Sequence, residues 1–215
     1  MNFPKAKFKR ARQDAQKAVR RAQILHEAKR QIEERDYSAV SIAHIAQQLG
    51  IAKGTVFVYF PTKESLFLTV AEMQFQAWFS LVSKKLVSIS KKADLVEALL
   101  SSIESLPLMP KMVSLLHPVL EHNVQPSQIL AFKIFLKEGV MDLGAQVDKR
   151  LSWHTGAGAQ SLLSFHTLLI GAYQMANPSP AVALALENDD LAFFRLSLRP
   201  QLEYLLPLVC RNRQA

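Results

Sequence analysis

The chain of 215 residues contains one cysteine, Cys210, and only seven glycines. A single thiol closes no internal disulfide and supplies no thiolate cluster for zinc, so a reducing, cytoplasmic setting is expected. The longest apolar stretch, Leu162 to Ala176, is interrupted by Ser164, His166, Thr167 and Gln174. It falls short of the roughly 20 residues that a membrane-spanning helix needs. The basic N-terminus has no apolar segment after it, which argues against a secretory signal. Its excess of bases also fits a mitochondrial presequence, but the run continues into a patterned helix. Few glycines and no long alternating apolar and polar runs argue against a sheet, and an all-α fold is predicted.

Signatures of catalysis are also missing. His117 and His122 stand five apart with Pro118 between them, poor spacing for a metal, and His154 and His166 are isolated. The stretch Gly156-Ala157-Gly158-Ala159-Gln160-Ser161 starts like a dinucleotide loop but lacks the third glycine and a preceding strand. No nucleophile elbow or phosphate loop occurs, so neither cofactor nor metal is expected. An all-α enzyme is the least favoured reading.

What the sequence has is an uneven charge. The formal net charge is +8. Residues 1–70 hold 13 Lys+Arg against 6 Asp+Glu, a net of +7, whereas residues 71–215 hold 13 against 12, a net of +1. Such asymmetry suits an N-terminal part that faces a polyanion, nucleic acid or an anionic membrane surface. A solvated basic tail accounts for the same numbers.

Helical spacing recurs throughout. Ala22, Leu25, Ala28 and Ile32 mark one stripe of a first helix over about 17–35, and short helices are predicted over 42–49 and 53–59. Longer ones follow over about 63–88, 94–105, 111–122, 127–151, 159–176 and 190–209. Seven prolines from Pro61 to Pro180 separate these segments, and Pro200 and Pro207 should kink or split the last helix.

The segment from Ser41 to Phe60 has the layout of a helix-turn-helix. Two helices that cross steeply need a small residue at the crossing, a turn residue tolerant of positive φ, and an apolar residue to close the contact. Ala46, Gly50 and Val56 fill these roles, while Ile42, Ile45, Leu49, Ile51 and Tyr59 fill other inward positions and Ser41 caps the first short helix.

The run from about Val19 to Leu68 resembles the N-terminal DNA-binding domain of the TetR/AcrR family of transcriptional regulators. The matching residues are Ile24, Leu25 and Ala28, then Ser41, Ile45, Ala46, Gly50, Ile51, Gly54, Thr55, Val56, Tyr59, Phe60, Lys63, Glu64 and Leu66. The chain departs from the pattern at Asp36 (usually glycine), Ser41 (threonine), Ala52 (serine), Phe57 (often tyrosine) and Val58 (commonly polar or aromatic). These changes leave the expected recognition helix poor in hydrogen-bonding groups.

The resemblance implies a basic arm (1–16), a helix-turn-helix domain (17–67) and a helical effector-binding and dimerisation domain (68–215). It implies a DNA-binding regulator, more commonly a repressor, that holds a palindromic operator in double-stranded DNA as a homodimer. The implied DNA-facing residues are Ser41, Ala52, Lys53, Gly54, Thr55, Phe57, Val58, Tyr59 and Lys63, with Arg20 and Arg21 on the first helix. Phe57 and Val58 suit thymine methyl groups better than bidentate hydrogen bonds. For a small, mainly apolar effector the candidate lining is Phe75, Trp78, Phe79, Met109, Met112, Leu116, Phe132, Phe135 and His166. Dimerisation is expected through the last two long helices, with Leu162, His166, Leu169, Ile170 and Tyr173 as one stripe and Ser164, Thr167, Gly171 and Ala172 allowing close approach. An architectural DNA-binding protein without an effector is the alternative.

Overall fold

In a computed structural model, which describes residues 5–212, the described chain is helical throughout, without strands. The first helix, α1 (Lys5–Glu34), begins well before the expected position and takes in residues 5–16. Its buried stripe is Ile24, Leu25, Ala28 and Ile32, whereas Ala22 is exposed. A 3₁₀ turn (Tyr37–Ala39) leads to α2 (Ile42–Gln48) and α3 (Lys53–Tyr59).

The helix α4 (Lys63–Leu86) crosses the expected domain boundary without interruption. Thr62 caps it by accepting the backbone N–H of Ser65 at 2.9 Å. Every residue from Ser65 to Ala71 is buried, as befits a helix enclosed on all sides. It packs against α1 on one side and against α5 (Lys92–Ser105), α6 (Leu108–Leu115) and α7 (Pro126–Leu151) on the other. α6 ends in a π-turn, Leu116–Leu120, at Pro118, and not in the continuous helix to residue 122 that periodicity suggests.

α7 and α8 (Ala157–Ala176) touch backbone to backbone. A Cβ on Gly144 would lie 2.4 Å from the Ala159 nitrogen, and one on Gly158 would lie 2.3 Å from the Gly144 carbonyl oxygen. Asp148 of α7 also caps α8, accepting the N–H groups of Gly156 at 2.7 Å and Gly158 at 2.6 Å. Of the glycines that imitate a dinucleotide loop, Gly158 is therefore accounted for by helix packing and Gly156 by its left-handed φ of +93° at the start of α8.

The expected last helix over 190–209 is two pieces, a 3₁₀ turn and a helix, with a further short helix before them. A short α9 (Pro180–Ala185) and a 3₁₀ turn (Asp189–Phe194) precede α10 (Leu198–Val209). The break falls at 195–197, ahead of both prolines. Pro200 sits in the first turn, where no intrahelical donor is lost, and only Pro207 lies inside the helix.

Candidate functional site

The turn between α2 and α3 shows why the motif needs its residues. Gly50 takes φ +62° with open space around its Cβ position, so conformation and not crowding requires glycine there. The Ile51 N–H donates to the Ala46 carbonyl at 3.0 Å and the Gly50 N–H to that of Gln47 at 3.1 Å. Together they satisfy the end of α2 as a Schellman turn. Ser41 accepts the His44 N–H at 3.1 Å and caps the start of α2. Val56 is fully buried, and Ile45 and Ala46 lie against it in the same core.

This packing leaves the other side of α3 outward. Ala52, Lys53, Gly54, Phe57 and Val58 are exposed, Val58 at 81%, while Thr55 and Tyr59 are half-buried. Lys53 lies over the Phe57 ring at 5.7 Å. Ala52 offers no side-chain cap, as the loss of a hydroxyl there implies. Arg21 reaches across from α1 to place its guanidinium 5.0 Å over the Phe60 ring, and Arg20 is half-buried.

Lys63 turns inward. Its ammonium donates to the Tyr37 carbonyl and lies 3.8 Å over the Tyr37 ring. Burial lowers its pKa, against the pull of the Glu64 charge. Tyr37 in turn donates its hydroxyl to Glu64 at 3.1 Å. In this conformation Lys63 fastens the start of α4 to the 3₁₀ turn.

Below α4 lies a cavity of about 540 Å³. Its walls are Phe75 and Trp78 from α4, Met109 from α6, His117 from the π-turn, Lys133, Leu136, Lys137, Val140 and Met141 from α7, and Leu162, Leu163, Phe165, His166 and Leu169 from α8. Of the residues expected to line a pocket, Phe75, Trp78, Met109 and His166 do so. Met112, Leu116 and Phe132 are buried core beside it, and Phe79 and Phe135 meet edge to face at 5.8 Å outside the lining. Trp78 stacks on Phe165 with ring centroids 5.6 Å apart and donates its indole N–H to Ser102 at 2.8 Å. Burial pushes the pKa of His166 down to about 4, with the nearby His117 and Lys133 charges acting in the same direction. Its imidazole is therefore neutral at pH 7.

Two helices that wall the cavity, α6 and α7, also bond to the end of α1 and the start of α4. Lys111 on α6 donates to the Ile32 and Arg35 carbonyls at 2.9 and 2.6 Å, satisfying the end of α1 with a cation where the helix dipole favours one. Ser65 on α4 and Gln128 on α7 exchange hydrogen bonds of 2.7 and 3.2 Å. No spacing rule in the sequence signals Lys111 or Gln128, because their partners are backbone groups or residues far along the chain.

Residues 24–70 match the model of the tetR family of bacterial regulatory proteins, and residues 72–211 match that of a tetracyclin repressor-like C-terminal domain. The chain belongs to the TetR family. Among curated proteins none matches it. As a TetR-family member it is a DNA-binding regulatory protein and not an enzyme. The TetR-type helix-turn-helix is the α1–α3 unit, and the larger helical domain follows it. Among the described residues no helix is long and apolar enough to cross a membrane, and no cluster of His, Cys, Asp or Glu has the makings of a metal site.

Of the residues expected to form a dimer face on α8, Leu162, Leu169 and Ala172 are buried within the chain, Ser164, His166, Ile170 and Tyr173 are half-buried, and Thr167 and Gly171 are exposed. Leu163 and Gln174, outside that expectation, extend Thr167 and Gly171 into an exposed row. On α10, Tyr204 and Leu208 are exposed one turn apart.

Proposed function

We propose that the protein is a homodimeric repressor whose grip on a palindromic operator is released when a small, mainly apolar effector fills the cavity beneath α4. The observation that carries this reading is the continuity of α4. One end is fastened to the helix-turn-helix through Lys63, Tyr37 and Glu64, and the same helix supplies Phe75 and Trp78 to the cavity.

On the DNA side, Lys53, Thr55, Tyr59, Arg20 and Arg21 contact phosphates, and Phe57 and Val58 enter the major groove against thymine methyl groups. Ser41 and Lys63 position the motif through their internal bonds and add phosphate contacts when those rearrange. Ala52 and Gly54 let the backbone approach the duplex closely. A second copy docks through the outer faces of α8 and α10, where Leu163, Gly171, Tyr204 and Leu208 are exposed. Two recognition helices then reach half-sites about 34 to 36 Å apart. An effector that prefers another spacing shifts the population away from the DNA-binding conformer.

Selection of bound duplexes from a random library tests this function. The expected product is an inverted repeat with half-sites one helical turn, or a multiple of it, apart. Enrichment of no sequence, with uniform coating of any duplex, would instead identify an architectural DNA-binding protein.

A further inference from the structure

The ionisable side chains that line the cavity are all basic: His117, Lys133, Lys137 and His166. Lys133, Lys137 and Met141 follow one another at intervals of four along α7 and so share a face. The Lys133 charge is already matched, because its ammonium lies 2.5 Å from Glu121, which also holds His117 at 3.1 Å. Burial works against the charge on Glu121, but the hydrogen bond and charge of Lys133 outweigh it and keep the carboxyl below its ordinary range. Lys137, one turn further on, forms no salt bridge among the described residues and is exposed. The cavity therefore carries one unmatched positive charge and no acid in its lining.

That charge sits at the rim, for Lys137 is exposed, as in part are His117 and Lys133, whereas Trp78, Phe165 and Leu169 are buried. A ligand with an apolar body and an anionic end fits this gradient, since the body leaves water and the charge does not. An ammonium end would meet Lys137 with no acid to receive it. The neutral imidazole of His166 adds a hydrogen-bonding group without adding charge.

We propose that the cavity binds an amphipathic carboxylate, its anionic end held by Lys137 and its apolar body packed against Trp78, Phe165 and Leu169. This assignment rests on the same cavity being the effector site and goes further in naming the ligand class. The volume lies within the roughly 300–1,000 Å³ usual for small-molecule sites.

Calorimetric titration of the full-length protein with decanoate, 1-decanol and decyltrimethylammonium separates these readings. Decanoate is expected to bind at least about tenfold more tightly than 1-decanol, with the ammonium weakest. Lys137→Gln should remove most of that preference and leave 1-decanol affinity unchanged, and Lys137→Glu should favour the ammonium. Unchanged affinity of both variants for DNA without ligand confirms that they fold. Equal or tighter binding of 1-decanol, or a decanoate preference that survives both variants, would overturn the carboxylate assignment while leaving the cavity as an effector site. No heat from any of the three probes at two well-separated temperatures, between which the heat-capacity change of apolar burial would reveal binding, would overturn the cavity as an effector site.

Discussion

The N-terminal three helices and the helices that follow use their side chains in opposite directions. In α2 and α3 the buried residues are few and aliphatic, Ile42, Ile45, Ala46 and Val56, and their role is to hold an outward face at a fixed angle. In α4 to α8 the aromatic side chains turn inward, and the functional feature is space they leave unfilled. An outward face for a regular polyanion needs a fixed backbone geometry, so its residues are constrained at fixed offsets. A cavity needs only volume and a few polar groups, and many sequences provide those.

The sharpest way to break this comparison is to destroy one half alone. Val56→Asp places an unpaired carboxylate at a fully buried position and should cost at least about 3 kcal/mol. Operator binding should vanish, while calorimetric binding of a cavity ligand persists if the larger domain stands alone. The converse is Gly144→Val. Its Cβ would meet the Ala159 backbone at 2.4 Å, so α7 and α8 must separate at a cost of about 1–3 kcal/mol. The melting temperature should fall and ligand affinity change, with the inverted-repeat preference intact.

Lys111→Met addresses the connection itself. Losing two hydrogen bonds to the end of α1 should cost about 1–2 kcal/mol. More informatively, it should reduce the factor by which ligand weakens DNA binding, measured by anisotropy with and without ligand.

His166 makes the cavity sensitive to pH. Its folded pKa of about 4 lies below the ordinary 6.5, so between these values the unfolded chain binds a proton that the folded chain does not. Stability is therefore full above pH 6.5 and falls progressively as the pH drops to 4. The groups facing it are His117, Lys133 and Glu121. Denaturant titrations of His166→Phe should show a shallower loss over that window, and an identical pH profile would contradict the assignment.

The smallest effect expected is that of the N-terminus. Deleting residues 1–16 removes Lys5, Lys7, Lys9, Arg10 and Arg12. It should weaken binding to all sequences alike and lower the salt slope by about 0.9 for each phosphate that is no longer neutralised.

This division also governs what could be read from the sequence. The helix-turn-helix was legible because Ala46, Gly50 and Val56 each answer a local requirement, and the structure places them in those roles. The cavity was half legible. The family resemblance pointed to Phe75 and Trp78, but nothing in the sequence separated them from Met112, Leu116 and Phe132, which fill core. Whether an apolar residue meets a neighbour or a void depends on helix crossings set by distant parts of the chain. Lys133 and Lys137 were missed because two lysines four apart on a helix ordinarily mark a solvated face. The C-terminal break was misplaced for a related reason: a proline in the first turn of a helix ends nothing.

The most direct measurement is a footprint of the protein on the DNA upstream of its own gene, repeated with a saturating cavity ligand. One protected inverted repeat that reopens when ligand is added is the expected result. Protection spread evenly along the fragment, or a protected repeat indifferent to every ligand that binds the cavity, would contradict the coupling of an outward DNA face to an inward ligand site.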